Sequence, residues 1–249
     1  MTTSDSGPLM FVRYAMAPNL LGYCGPADGQ ALLTSGARGA VDEVRDLARQ
    51  FEGAWPFLEL IARTAGLKDP LDHRVVEAYW LGNVLLDSAG PRFTAGGMPH
   101  HSYQVFCVYP WTALLNDERA GAHALHVLDQ CRIRWGRVVA VAGAQVVVKS
   151  RPLAWDGRTL ALGPLRQETV GGHDLLGPVH IGDWVSLHWQ WICDQLDLRR
   201  LTALRQRSAY HLAIANQRLA SAVVGPNRYV GAEDPVAGDR RSGAGSHQR

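Results

Sequence analysis

The sequence predicts an α+β protein: an N-terminal helical domain, then a small β-barrel, then a C-terminal helix. Three observations carry this. Apolar residues recur at helical spacing through the first half, short β-branched runs separated by turn residues replace them after Cys131, and Asp197 opens a final leucine-rich helical pattern. The expected organisation is residues 1–9 disordered, 10–126 helical, 127–222 barrel plus helix, and 223–249 a Gly/Pro/Arg/Ser-rich disordered tail.

The elements follow in order. Pro18-Asn19 and Gly25-Pro26 are breakers, so Leu20 to Pro26 reads as a loop, and Asp28 caps a helix carrying Gln30 to Leu33. Val41, Val44, Leu47, Ala48 and Phe51 share one helical face. Pro56 starts another helix that Gly66 ends, and Pro70 and Asp72 open a third through Val75, Val76, Tyr79, Trp80 and Leu86. Gly90 to Pro99 is a glycine-rich loop, followed by an apolar run from Tyr103 to Tyr109. Val138–Val141 and Val146–Val148 flank Ala142-Gly143-Ala144 as a hairpin. Trp155 to Arg158 turns into a strand over Thr159–Leu162, and Ile181–Leu187 is a further strand region opened by Gly182-Asp183.

Composition narrows the function classes. The chain has 249 residues, 47% apolar and 19% charged, enough to bury a core. A net charge of +2 without a basic run argues against nucleic acid. No stretch reaches the ~18 apolar residues of a membrane span and the N-terminus lacks a secretory pattern, so a cytoplasmic location is expected. The cysteines Cys24, Cys107, Cys131 and Cys193 form no CxxC and read as free thiols or metal ligands.

The segment Cys131-Arg-Ile-Arg-Trp-Gly136-Arg-Val138 and the segment Gly182-Asp183-Trp-Val-Ser-Leu-His188 carry a resemblance. In this order they resemble the HypC/HupF-type chaperones of [NiFe] hydrogenase assembly, over about residues 128–207. The resemblance implies an OB-like barrel. It implies that Cys131 and His188 are ligands of an iron carrying diatomic ligands, that Gly136 and Asp183 support them, and that Trp189–Leu196 together with the helix from Asp197 is the C-terminal amphipathic helix. It implies as partner a hydrogenase maturation protein or the hydrogenase large subunit. Ile133 and Trp135 stand where those chaperones have glycine and proline. If Cys131, Ile133 and Trp135 share one face of a strand, they point into the core. The N-terminal half, through Arg13-Tyr14, Leu21 to Pro26, Tyr79 to Asn83 and Pro99 to Ser102, resembles the opening of an uncharacterised bacterial family with such a β half.

Cys24 in Gly-Tyr-Cys-Gly-Pro, with His100 and His101 after Gly96-Gly97-Met98-Pro99, forms a second candidate set. It serves a metal, or a nucleophile with its base, against the alternative of a small buried thiol and loop-stabilising imidazoles. Asn83 is expected to face the Cys24 loop. Cys107 reads as core, Cys193 as core or surface packing, and His123 with His126 as a solvated helix face. Three functions therefore compete: a metallocentre chaperone, a cysteine enzyme built on Cys24, and a metal-free adaptor.

Overall fold

A computed structural model of the chain describes residues 6–171 and 175–224. Its hub is helix α1 (Gly7–Leu20), apolar around nearly its whole circumference and buried along most of its length. Ser6 caps it, so it begins inside the segment expected to be disordered; residues 1–5 lie outside the described residues. It also runs through Pro18, which ring geometry tolerates because the helix stops within the next turn.

Around α1 pack α2 (Gly29–Ala37), α3 (Val41–Ala48), α4 (Trp55–Thr64), α5 (His73–Trp80) and α6 (Val84–Ala89). Their starts follow local rules. Asp28 accepts from Gln30 N, Asp72 from Arg74 N and Asn83 from Leu85 N, each satisfying an orphan amide of a first turn. Asn83 also ends the helical run expected to continue to Leu86, and its amide donates to Arg74 O. It caps α6 and does not face the Cys24 loop. The apolar run after Pro99 is a short helix α7 (His101–Tyr103) continuing into a π-turn over Gln104–Val108. Helix α8 (Gly121–Cys131) follows and exposes His123 and His126.

Two expectations fail here. Cys131 is the last residue of α8, not part of a strand, and the expected boundary at 126/127 falls inside that helix. The first strand begins only at Arg134, after Arg132 turns to extended backbone.

Strands β1 (Arg134–Ala142), β2 (Gln145–Ser150), β5 (Arg166–Gly171), β6 (Trp184–His188) and β7 (Trp191–Gln195) close a barrel in the order β1-β2-β5-β7-β6. The hairpin β3 (Leu153–Trp155) with β4 (Leu160–Leu162) stands apart from it. Gly136 sits where a side chain would press on Lys149 O at 3.2 Å across the β1–β2 pair. Asp183 accepts from His180 N and fixes the turn into β6. β5 has no counterpart in the sequence expectations. β7 replaces the helix expected over Trp189–Leu196, because its residues gain a ladder with β6 that an isolated segment lacks. Helix α9 (Leu198–Val224) then follows Asp197, which accepts from Arg200 N at 2.7 Å. It reaches two residues into the expected tail, whose remainder lies outside the described residues.

The helices and the barrel share a core. Residues of α1, α4 and α5 pack in one cluster with Ile133, Cys193, Leu196, Leu201 and Leu204. Arg13 on α1 pairs with Asp194 on β7 at 3.0 Å, and Tyr14 shares a 2.8 Å hydrogen bond with Ser186 on β6. α1 is thereby locked onto the strand that ends in His188. Among the described residues, no helix is long and apolar enough to cross a membrane.

Candidate metal centre

His101, Cys131 and His188 converge in the interior, where one ligand atom from each lies within 4.8 Å of the others. They come from the start of α7, the end of α8 and the end of β6. The two motif residues expected to pair, Cys131 and His188, are brought together, and one member of the second candidate set joins them.

His188 is oriented by a consequence of Pro18. A proline has no N–H, so the carbonyl four residues earlier, Tyr14 O, lacks its helical partner. His188 Nδ1 donates to that oxygen at 2.6 Å. Its Nε2 then carries the lone pair, and this atom is buried with no hydrogen-bond partner. A ring anchored through one nitrogen to a backbone carbonyl, with the other nitrogen free, is the usual state of a metal-ligating histidine.

His101 is tied on both sides. Cys131 is the end of α8, so its carbonyl has no helical donor, and His101 Nε2 lies 2.8 Å from it. Its Nδ1 lies 3.1 Å from the Tyr79 hydroxyl, which donates to Gln104 Oε1 at 2.5 Å; Gln104 Nε2 in turn donates to the Tyr109 hydroxyl at 2.9 Å. In the metal-free chain Nε2 is protonated against the carbonyl, and the single Tyr79 hydrogen faces two acceptors. With the proton on Nδ1 the chain runs in one sense, His101 to Tyr79 to Gln104, and Nε2 becomes available as a ligand atom once the ring turns from the Cys131 carbonyl.

The surroundings are dry and aromatic. The Trp80 ring lies 4.6 Å from the His101 ring and 5.7 Å from that of His188, and the two imidazoles are 5.1 Å apart. Burial holds His101 down to about 4 and His188 down to about 3, so both are neutral and able to ligate at ordinary pH. Burial pushes the Cys131 thiol up, with a smaller contribution from the nearby Cys24. A cation would reverse this, since ligation deprotonates the thiol. A tetrahedral shell with bonds of ~2.0–2.3 Å has edges of ~3.3–3.8 Å, so side-chain adjustment within ~1 Å closes the set. Two imidazoles and a thiolate suit iron, copper or zinc and leave positions for exogenous ligands. The orphaned Nε2 and the donor chemistry therefore fit a transition metal.

The remaining candidates fall elsewhere. His100 caps α7, accepting from Ser102 N at 3.0 Å, and its Nδ1 shares Ser102 Oγ with His211 in a buried chain that fastens α7 to α9. Cys24 lies in the wall of a surface pocket. Burial pushes its thiol up to about 12, the opposite direction from an activated nucleophile. No hydrogen bond joins it to His100 or His101 among the described residues. Its loop is held by Asn19, which donates to Cys24 O and Pro26 O at 2.8 Å each. Sequence reasoning missed Tyr14, Asn19, Gln104 and Tyr109. Pro18 is the signal for the first, because a proline marks the freed carbonyl four residues before it.

Gly53 bears on the same chain. A Cβ there would lie 1.8 Å from Gln104 Nε2. Gly53→Ala is expected to displace the Gln104 amide, break its bonds to Tyr79 and Tyr109, and cost ~1–3 kcal/mol, read as a lowered urea midpoint. An unchanged midpoint would show that the Gln104 amide swings aside at no cost.

The sequence matches a family of unknown function, DUF6390, over residues 3–93 and 89–222. No curated protein and no solved structure matches it.

Proposed function

The chain belongs to the family of unknown function DUF6390, and we propose that it is a metal-binding accessory protein of metallocentre assembly, holding one iron ion through Cys131, His188 and His101. The observation that carries the reading is the convergence of these three side chains, two of them the residues that the HypC/HupF resemblance assigns to iron. The third, His101, comes from the helical half, which gives that half a role in the same site.

Charge supports iron with diatomic ligands. A divalent ion with one thiolate and two neutral imidazoles carries a net positive charge in an apolar enclosure, which is costly. Anionic cyanide ligands offset it, and strong-field diatomics favour the low-spin ferrous state that thiolate and imidazole suit. The partner of this reading is a hydrogenase maturation protein or the hydrogenase large subunit, and the compartment is the reducing cytoplasm, where free thiols persist.

The test is elemental analysis of protein purified without oxygen, with infrared spectra in the cyanide and carbonyl stretching region. Wild type is expected to hold about one iron per chain with diatomic bands, and Cys131→Ala to lose both. Zinc or copper in place of iron, lost in Cys131→Ala, would keep the centre and sink the assembly role. No metal in any preparation, even after reconstitution, would sink the centre itself.

A further inference from the structure

We propose that the surface pocket beside Cys24 is the loading port of the metal centre, and that Cys24 is the transient first ligand for a thiophilic metal ion entering from solvent. This rests on the metal-binding reading above and adds a route and a second thiol to it.

The pocket has a volume of about 470 Å³ and is walled by the Cys24 loop on one side and by Gly53 and Tyr109 on the other. Both walls connect to the centre. Tyr23, next to Cys24, lays its ring 4.3 Å from that of Trp189, the residue after His188. Trp189 holds a left-handed backbone at φ 54°, a conformation that costs a bulky residue energy, and its N–H donates to Gln130 O beside Cys131. On the other wall Tyr109 begins the chain of hydrogen bonds through Gln104 and Tyr79 to His101. The pocket thus abuts the turn that carries one ligand and is wired to another.

Two features mark the pocket as a place for a ligand. Cys24 is a thiol on a wall otherwise polar or small. Asn19, also in the wall and 3% exposed, uses its amide nitrogen on two carbonyls but leaves Oδ1 buried without a partner. That oxygen lies at the base of the loop that carries the thiol, an acceptor that a cation can use as it passes inward. Cys24 does not belong to the mutually close set of His101, Cys131 and His188, so it acts before that set and not within it. Gly25 lets the loop close, since its φ is 86° and a Cβ would lie 2.4 Å from the Phe51 ring.

The transfer balances. Cys24 loses its thiol proton to solvent as its sulfur bonds the ion. That bond breaks as the ion passes inward, the Cys131 thiol gives up its proton as the new sulfur–metal bond forms, and the departing Cys24 thiolate is reprotonated.

The experiment is stopped-flow loading of the reduced, metal-free protein with cobalt(II), read by the near-ultraviolet thiolate-to-cobalt band. Wild type and Cys24→Ser are expected to reach the same final band and stoichiometry, with Cys24→Ser loading at least about tenfold more slowly. Gln50→Trp, which adds bulk to an exposed position of the pocket wall, is expected to slow loading as well. Cys131→Ala is expected to give no band at equilibrium. Loading of Cys24→Ser and Gln50→Trp at the wild-type rate would overturn the port and leave the centre standing. A changed final band or stoichiometry in Cys24→Ser would overturn it too, making Cys24 a resident ligand. Absence of any band in wild type would overturn the centre and the port together.

Discussion

Lowering the pH from 7.5 to 5 is expected to unfold the metal-free protein cooperatively. His100, His101, His188 and His211 are all buried, and burial holds each below its ordinary value, His101 to about 4 and His188 and His211 to about 3. In the unfolded chain each takes up a proton near pH 6.5. Between 6.5 and the folded values the unfolded state therefore binds more protons. The stability these groups allow is present in full above 6.5 and falls as pH drops through that window. The loss approaches ~1.4 kcal/mol per pH unit for each group, so by pH 5 it is ~2 kcal/mol for each of His101, His188 and His211, with His100 acting in the same direction, comparable in sum to the ~5–15 kcal/mol of a whole domain. Urea midpoints at pH 7.5, 6.5, 5.5 and 5.0 measure it. Midpoints unchanged down to pH 5 would show that the histidines are hydrated or paired in solution. Saturating metal is expected to raise the midpoint at every pH, since it binds the folded state alone.

Arg134→Ala is expected to cost ~3–5 kcal/mol and to weaken metal binding ~10–100-fold. Arg134 is fully buried and makes an ion pair from β1 to Glu168 on β5, with Nη1 2.6 Å from each carboxylate oxygen. Its other terminal nitrogen bonds Gln130 Oε1 and the carbonyl of Trp189. One guanidinium thus ties two barrel strands, the end of α8 and the turn after His188. Burial opposes the charge on Glu168, and the guanidinium outweighs it, holding the carboxyl below its usual range. Removing the arginine leaves that half-buried carboxylate without its ion-pair partner, with the Ser150 hydroxyl still donating to it, which is the expensive outcome. Arg134→Met combined with Glu168→Leu is expected to recover most of the stability while metal affinity stays low, because the Trp189 carbonyl remains unheld. Denaturant melts and a cobalt(II) titration read the two effects separately. Recovery of affinity along with stability would show that the turn holds itself.

Several helix starts and one hairpin were legible because they are set by contacts a few residues apart. Asp28, Asp72 and Asp197 each satisfy an amide two or three positions on, and Gly143 turns a hairpin between two β-branched runs. Cys131 and His188 were singled out as a pair by the family resemblance of the two motifs that hold them. The conformation of Cys131, the strand over Trp191–Gln195 and the placement of His101 were not legible. The tripeptide before Arg134 carries no local signal that separates a helix end from a strand start. β7 exists because β6 supplies its ladder. His101 meets Cys131 and His188 through contacts far apart in the chain: Arg13 and Tyr14 clamp α1 to the barrel, the Tyr14 carbonyl orients His188, and Tyr79 and the Cys131 carbonyl hold His101. By itself the sequence determined the α+β order and the helix starts near Asp28, Pro56, Asp72 and Asp197, and the family resemblance pointed to the thiol–imidazole pair. The meeting of His101 with that pair was decided by tertiary structure, because it depends on partners far apart in the chain, whose approach no local propensity encodes.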